Sequence, residues 1–243
     1  MSTKRVRIFA GPNGSGKTTI INNLKNAIPF GVYVNADDIE KSLQDNGHLD
    51  FKDYNLSVNT TKLKKFFKSS GFSQAKLKDV NLWEFLSVKA NKIHIGDKKI
   101  INSYLAADIA EFIRQSLLQA NISFSYETVM SHESKLTFMA IAKQNGYKVY
   151  LYYIATEDPE ININRVKIRI AQKGHKVNFK KVTDRYYRSL EFLKDAVKLT
   201  NRAYIFDNSG KVSKLIAEVT EGLKVEVIDE KEVPNWFIKY LVD

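Results

Sequence analysis

The chain has 243 residues, 44% hydrophobic and 27% charged, the mix expected of an ordinary soluble globular protein. The absence of cysteine excludes disulfides and thiolate zinc sites, and no apolar run is long enough to span a bilayer. A formal charge of +11 is concentrated in residues 51–100, where eleven lysines face only Asp53, Asp79, Glu84 and Asp97, a bias that suits an anionic partner or simply a solvated face.

The first predicted element, "RVRIFA" (5–10), is a short apolar strand that runs straight into glycine, so no signal peptide is expected and the expected location is cytoplasmic. Gly11, four residues, then Gly16-Lys17-Thr18 fit the pattern G-x-x-x-x-G-K-[ST] of a phosphate-binding loop. In such a loop the backbone N–H groups of Gly11, Asn13, Gly14, Ser15 and Gly16 curl around a β-phosphate, and the next helix adds the positive end of its dipole. Lys17 would reach the β- and γ-phosphates and Thr18, with Thr19 beside it, would ligate Mg²⁺. A helix is expected next, its apolar face carried by Ile20, Ile21, Leu24 and Ile28, and this context argues against a mere glycine turn. ATP and Mg²⁺ are the expected cofactors. Neither an Asn-Lys-x-Asp guanine reader nor an LSGGQ-like signature occurs, so a small kinase fits better than a GTPase or an ABC-type ATPase.

"VYVNA" (32–36) is the second strand, and "DDIE" follows it directly. Ligands of an open parallel sheet bind beyond the carboxyl ends of its strands. Asp37 is therefore expected to accept the proton of an attacking hydroxyl, and Asp38 to cap the following helix. Residues 41–100 break the strand–helix rhythm as an insertion: two short helices around Gly71, then a hairpin turning at Gly96 and Asp97. Phe66, Phe67, Phe72, Trp83 and Phe85 argue that it is packed, and its place between the second and third strands is expected to set it over the acceptor side.

A helix with Leu105, Ile109, Phe112, Ile113 and Leu117 on one face and Ser103 as its cap leads to the third strand, "ISFSY" (122–126). Glu127 and Thr128 stand where that strand stops. A carboxylate there is costly to desolvate unless paired, so Glu127 is expected either to orient Mg²⁺ through water or to bind the acceptor, with Thr128 beside it. His132 reads equally well as a loop histidine. The fourth strand is "KVYLYYIA" (148–155), followed by a helix capped by Asp158 with Pro159 in its first turn. Arg165 and Arg169 share one face of that helix, beside the apolar Ile163, Val166 and Ile170. "AQKGHKVN" is a loop suited to a mobile lid, and the next helix carries Arg185 and Arg188 next to Tyr186, Leu190, Leu193 and Val197. Arginines over a γ-phosphate stabilise its transition-state charge; Arg169 is expected at the nucleotide and Arg185 at the acceptor, although each taken singly would equally suit a helix surface.

"RAYIFD" (202–207) is the fifth strand, and the extension 211–243 reads as a hairpin turning near Gly222 and a short amphipathic segment. The expected fold is α/β: one P-loop domain over 1–243, three layers α/β/α around a five-stranded parallel sheet, with the insertion and the C-terminal hairpin added.

"GPNGSGKTT", "VNADDI", "YETVMS", "NRVKIRI…GH", "RYYRSL" and "FDNSG", in this order across 1–40 and 100–210, resemble the zeta toxin family of P-loop kinases in its small "predicted ATPase" branch. The resemblance implies an enzyme that uses ATP to phosphorylate a hydroxyl, in toxin members a sugar hydroxyl of UDP-N-acetylglucosamine. It implies Asp37 as the catalytic aspartate, Glu127 as the strand-end acid, Arg165 as a lid arginine and Asn208 of "FDNSG" near the adenine. Toxin members often carry a basic residue three positions after the aspartate, where this chain has Glu40 and then Lys41. The reading is thus a small-molecule kinase, with a nucleotide sugar as one candidate acceptor and room for an antitoxin protein as partner. The basic, aromatic-bearing insertion keeps a polynucleotide or RNA kinase as the rival, and a nucleotide-gated binding module with incidental hydrolysis as the rival outside catalysis.

Overall fold

Strands buried on both faces of a parallel sheet read as continuous apolar runs, and all five such runs of this sequence form strands. They are β1 (Arg5–Ala10), β2 (Val32–Val34), β6 (Phe124–Thr128), β7 (Lys148–Ala155) and β8 (Arg202–Asp207), with β3 to β5 lying in the insertion. The computed structural model describes residues 3–70, 82–173 and 178–243, which gather into two compact units, 1–30 with 125–243, and 31–124.

In the first unit β1 pairs in parallel with β7, from Arg5 opposite Lys148 to Ala10 opposite Tyr153, and β7 in parallel with β8. The carboxyl ends of these three strands therefore share one edge of the sheet. The C-terminal hairpin, β9 (Lys214–Thr220) and β10 (Lys224–Val227), turns at Glu221 and Gly222 as expected. It does not stand apart: β9 pairs antiparallel with β8, giving the order β10-β9-β8-β7-β1-β6 within this unit. Helices α1 (Lys17–Leu24), α6 (Ser134–Gln144), α7 (Pro159–Lys173), α8 (Phe179–Glu191) and α9 (Leu193–Lys198) belong to it. The segment expected as one helix through Val197 is two, divided at Phe192, which buries Tyr186 and Leu190 from α8 and Leu193, Ala196 and Val197 from α9. The stretch expected as a lid, around Gly174 and His175, lies outside the described residues. Among the described residues no helix is long and apolar enough to cross a membrane.

In the second unit α2 (Ala36–Asn46) packs against α5 (Ser103–Gln119). Neither cap is the expected residue. Asn35, not Asp38, caps α2, its Oδ1 accepting from Asp37 N–H at 2.9 Å. Asn102, not Ser103, caps α5, accepting from Tyr104 and Leu105 N–H at 2.9 and 3.0 Å. Both asparagines are in extended backbone, which aims the short amide back at the orphan donors of the first turn. Asn35→Ala is expected to cost about 1 kcal/mol in thermal or urea unfolding, while Asp38→Asn leaves stability unchanged.

The insertion contains a three-stranded antiparallel sheet in the order β3 (His48–Asp50), β5 (Lys92–Ile95), β4 (Leu86–Lys89). Its hairpin turns at Ala90 and Asn91, not at Gly96 and Asp97. Both turn residues have positive φ, 48° and 65°, the primed geometry that matches strand twist. Asn91 is held there by long-range bonds, accepting from Val58 N–H at 2.7 Å and donating to Leu56 O at 2.8 Å. Asp97 instead caps a short 3₁₀ turn through Lys99 N–H. The expected helix before Gly71 is present as α3 (Thr60–Ser70), while the one after it falls mostly outside the described residues, as do Gly71, Phe72, Lys76 and Lys78; these resume with α4 (Leu82–Phe85). The insertion is packed: Phe66 meets Phe112 and Phe67 meets Trp83 edge to face.

Candidate phosphate-binding site

The loop between β1 and α1 is shaped by close backbone approach. A Cβ on Gly11, at φ 141°, would stand 1.9 Å from Ile154 O of β7, and one on Gly16, at φ 94°, would stand 2.0 Å from Asn208 Nδ2. Only glycine allows the loop to lie this near its neighbours. Gly16 opens α1 without any side-chain cap, and no acid stands in the first turn, so the helix start keeps its positive character for an anion.

Lys17 is buried to 7% exposure and its Nζ donates to Gly11 O and Pro12 O, both at 2.9 Å. Glu127 Oε1 lies 3.7 Å from the same Nζ. This pairing answers the cost of a carboxylate at the end of a largely buried strand: the partner is the phosphate-loop lysine itself. Thr128 is half-buried, its Oγ1 accepting from Met130 N–H at 3.3 Å. Thr18 and Thr19 are exposed in the first turn of α1.

Three side chains hold successive loop carbonyls. Asn162 Nδ2 donates to Asn13 O at 2.7 Å, Arg165 Nη1 to Gly14 O at 3.5 Å, and Asn208 Nδ2 to Ser15 O at 2.7 Å. Carbonyls engaged by side chains fix the path of the loop backbone, in which Ser15 N–H also bonds to Pro12 O at 3.3 Å. Asn162 is the residue that sequence reasoning missed. It is fully buried and also bonded to Thr156 Oγ1, while Tyr186 Oη donates to Thr156 O at 2.6 Å. Burial pushes the Tyr186 phenol well above its ordinary range, so it stays a neutral donor. No local motif marks Asn162; only its place on α7, facing Asn13 across 149 positions, gives it a role. Asn162→Ala is expected to cost about 1–3 kcal/mol, because Asn13 O and Thr156 lose a buried partner, and to weaken nucleotide binding measured by calorimetry.

Arg165 also reaches Gly210 O at 3.4 Å, so in this structure the residue expected as a lid arginine bridges the loop after β1 and the loop after β8. Arg169, one turn on, is exposed. Arg185 lies at a cleft of about 100 Å³ with Asn13, Asn178, Lys181 and Val182. The structure thus brings Asn13 to Lys17, Glu127, Arg165 and Asn208 together and sets Arg185 at a cleft beside Asn13, whereas Asp37 is exposed on α2 of the other unit.

Ser15 is completely buried and its Oγ has no hydrogen-bond partner among the described residues, a polar atom that fits a phosphate oxygen at the loop. Among the described residues no three acidic or histidine side chains gather to hold a metal. Magnesium carried on phosphate oxygens asks for only one or two protein ligands, and the Thr18 hydroxyl and the Glu127 carboxylate are oxygen donors of the kind it takes.

A family model described as "AAA domain" matches residues 3–232. An uncharacterized protein of Haemophilus influenzae is 38% identical over 58 residues, which is 24% of this chain and 41% of its own. Among solved structures, the AvrRxo1-ORF1:AvrRxo1-ORF2 complex with sulphate ions, and the same complex with ATP, are similar at a TM-score of 0.55 and 15% identity, covering 94% of this chain and 62% of theirs. That likeness is one of fold. The PezAT chromosomal toxin-antitoxin system of Streptococcus pneumoniae follows at a TM-score of 0.47 and 16% identity, over 85% of this chain and 68% of that one. The chain spans less than two thirds of the length of the Haemophilus relative and of the AvrRxo1 structures.

Proposed function

The chain belongs to the AAA-domain family of P-loop NTPases, and from that premise we propose that it is an ATP- and Mg²⁺-dependent kinase of the zeta toxin type, acting on a hydroxyl of a small molecule. The observation that carries this reading is the phosphate loop itself, with buried Lys17 set between Gly11 O, Pro12 O and Glu127.

Each residue then has a task. Lys17 leaves its carbonyls for the β- and γ-phosphates, and the N–H groups of residues 13–16 take the β-phosphate oxygens. Thr18 would ligate Mg²⁺, which when bound would supply charge neutralisation for the phosphates. The acceptor hydroxyl oxygen attacks the γ-phosphorus, the bond from that phosphorus to the β–γ bridging oxygen breaks, ADP leaves, and Asp37 takes the hydroxyl proton. Glu127 would orient the metal through water or hold the acceptor, Arg165 and Arg169 would stabilise the transferring charge, and Asn208 keeps the loop closed beside the adenine end. Arg185 and Thr128 are assigned to the acceptor, a nucleotide sugar such as UDP-N-acetylglucosamine being the first to try, and the insertion 41–100 to its recognition. An antitoxin protein is a partner to seek.

One observation favours a second reading. Helix α3 buries Leu63 and Phe67 and exposes Lys62, Lys64, Lys65 and Lys68, with Lys64 Nζ 5.3 Å from the Trp83 ring centroid. A lysine face with an aromatic base suits single-stranded nucleic acid. Incubation with γ-labelled ATP decides between them: label is expected in a phosphorylated metabolite pool, not on oligonucleotides. Label on oligonucleotide 5′ ends promotes the polynucleotide kinase, and label appearing only as free phosphate from every pool overturns both.

A further inference from the structure

Strand β10 ends the sheet of the first unit, and among the described residues no strand lies beyond it. Its backbone is available on one side. Ile228 N–H bonds to Ile216 O at 2.9 Å, and in the register of β10 on β9 the pairs Lys224–Thr220 and Glu226–Glu218 are of the same parity. Antiparallel ladders alternate bonded and non-bonded pairs, so the N–H and C=O groups of Val225 and Val227 point away from β9.

The side chains add a pattern. Leu223, Val225 and Val227 are 85, 44 and 37% exposed, although Val219 and Ala217, opposite the two valines on β9, are buried. An apolar face therefore continues past the covered sheet onto an edge. On the other face Lys224 Nζ and Glu226 Oε1 are 2.5 Å apart.

From this we infer that β10 pairs antiparallel with β10 of a second copy of the chain, in a two-fold register centred on Val225. The parity of the free backbone groups requires a centre on a residue rather than between two, and a centre on Glu226 would set that carboxylate against its own copy, which a centre on Val225 avoids. In this register Val225 exchanges both of its bonds with the partner's Val225. Lys224 then faces the partner's Glu226 and Glu226 the partner's Lys224, so the charges complement themselves across the axis, as an isologous contact demands. Leu223 falls opposite the partner's Val227 and the three apolar side chains of each copy lose water. A short edge buries less surface than a tight dimer, so the association is weak and reversible. It does not depend on the proposed kinase activity.

Sedimentation equilibrium over a wide concentration range tests it. The native chain is expected to dimerise. Lys224→Glu and Glu226→Lys, each placing two like-charge pairs across the axis, are expected to weaken dimerisation by about tenfold or more. Mixing these two variants is expected to restore dimers, since each then meets its complement, and the double variant Lys224→Glu/Glu226→Lys is expected to dimerise like the native chain. A native chain that remains monomeric, single variants that dimerise undiminished, or a mixture and double variant that both stay monomeric would overturn the inference.

Discussion

Lys17→Ala is expected to lower ATP turnover by about 10²- to 10³-fold or more, the scale for removing one preorganised charge donor at a transferring phosphoryl group. The groups that its Nζ meets include the carbonyls of Gly11 and Pro12 and the carboxylate of Glu127, all acceptors that cannot replace its charge. The same substitution carries a structural penalty. Glu127 is 19% exposed, and losing the cation 3.7 Å away costs on the order of 1 kcal/mol or more. Lys17→Ala/Glu127→Gln is therefore expected to regain stability without regaining turnover. Steady-state ATPase assays and urea unfolding of the three proteins separate the two effects. Near-native turnover in Lys17→Ala would remove the phosphate site from this loop.

Asp37→Asn is expected to leave ATP affinity unchanged and to cut phosphotransfer by about 10²-fold or more, the usual worth of a positioned general base. Its backbone N–H is engaged by Asn35 Oδ1 whatever the side chain, so the first turn of α2 stays formed in the variant. Asp38→Asn is the internal control, because Asp38 caps nothing. Its charge bears on Tyr54, whose phenol is pushed up to about 12 by burial first and by Asp38 and Asp53 next. Titration calorimetry for ATP with single-turnover transfer distinguishes the outcomes. Loss of transfer in Asp38→Asn but not in Asp37→Asn would move the base by one residue.

The buried strands were legible because burial on both faces leaves a plain mark. "RVRIFA" and "KVYLYYIA" are β1 and β7 to the residue, and "RAYIFD" is β8 to the residue although only Ala203 and Ile205 of it are buried. The phosphate loop was legible for a similar reason, since close backbone approach admits only glycine and the pattern is local. What escaped was set by distant partners. Ala90 and Asn91 carry no glycine, and Asn91 is held in its turn by Leu56 and Val58, more than thirty positions away. Gly96 and Asp97 looked more like a turn than the residues that make one. The two caps were missed by one and three positions because asparagine was passed over for aspartate and serine. That the C-terminal hairpin widens the main sheet depends on β9 finding β8, a pairing no local signal encodes.

The carbonyl tethers on the phosphate loop have a consequence for anyone who would transplant it. A peptide of residues 10–20 carries every letter of the motif but none of Asn162, Arg165 or Asn208, which lie roughly 150 to 190 positions further on. Freed from them, each loop residue regains backbone freedom that costs about 1–2 kcal/mol to remove again when phosphate arrives. Here that ordering is done once, during folding, by helix α7 and the turn after β8. A graft onto another scaffold would have to bring two amides and a guanidinium at matching heights, or accept a loop that closes only around its ligand.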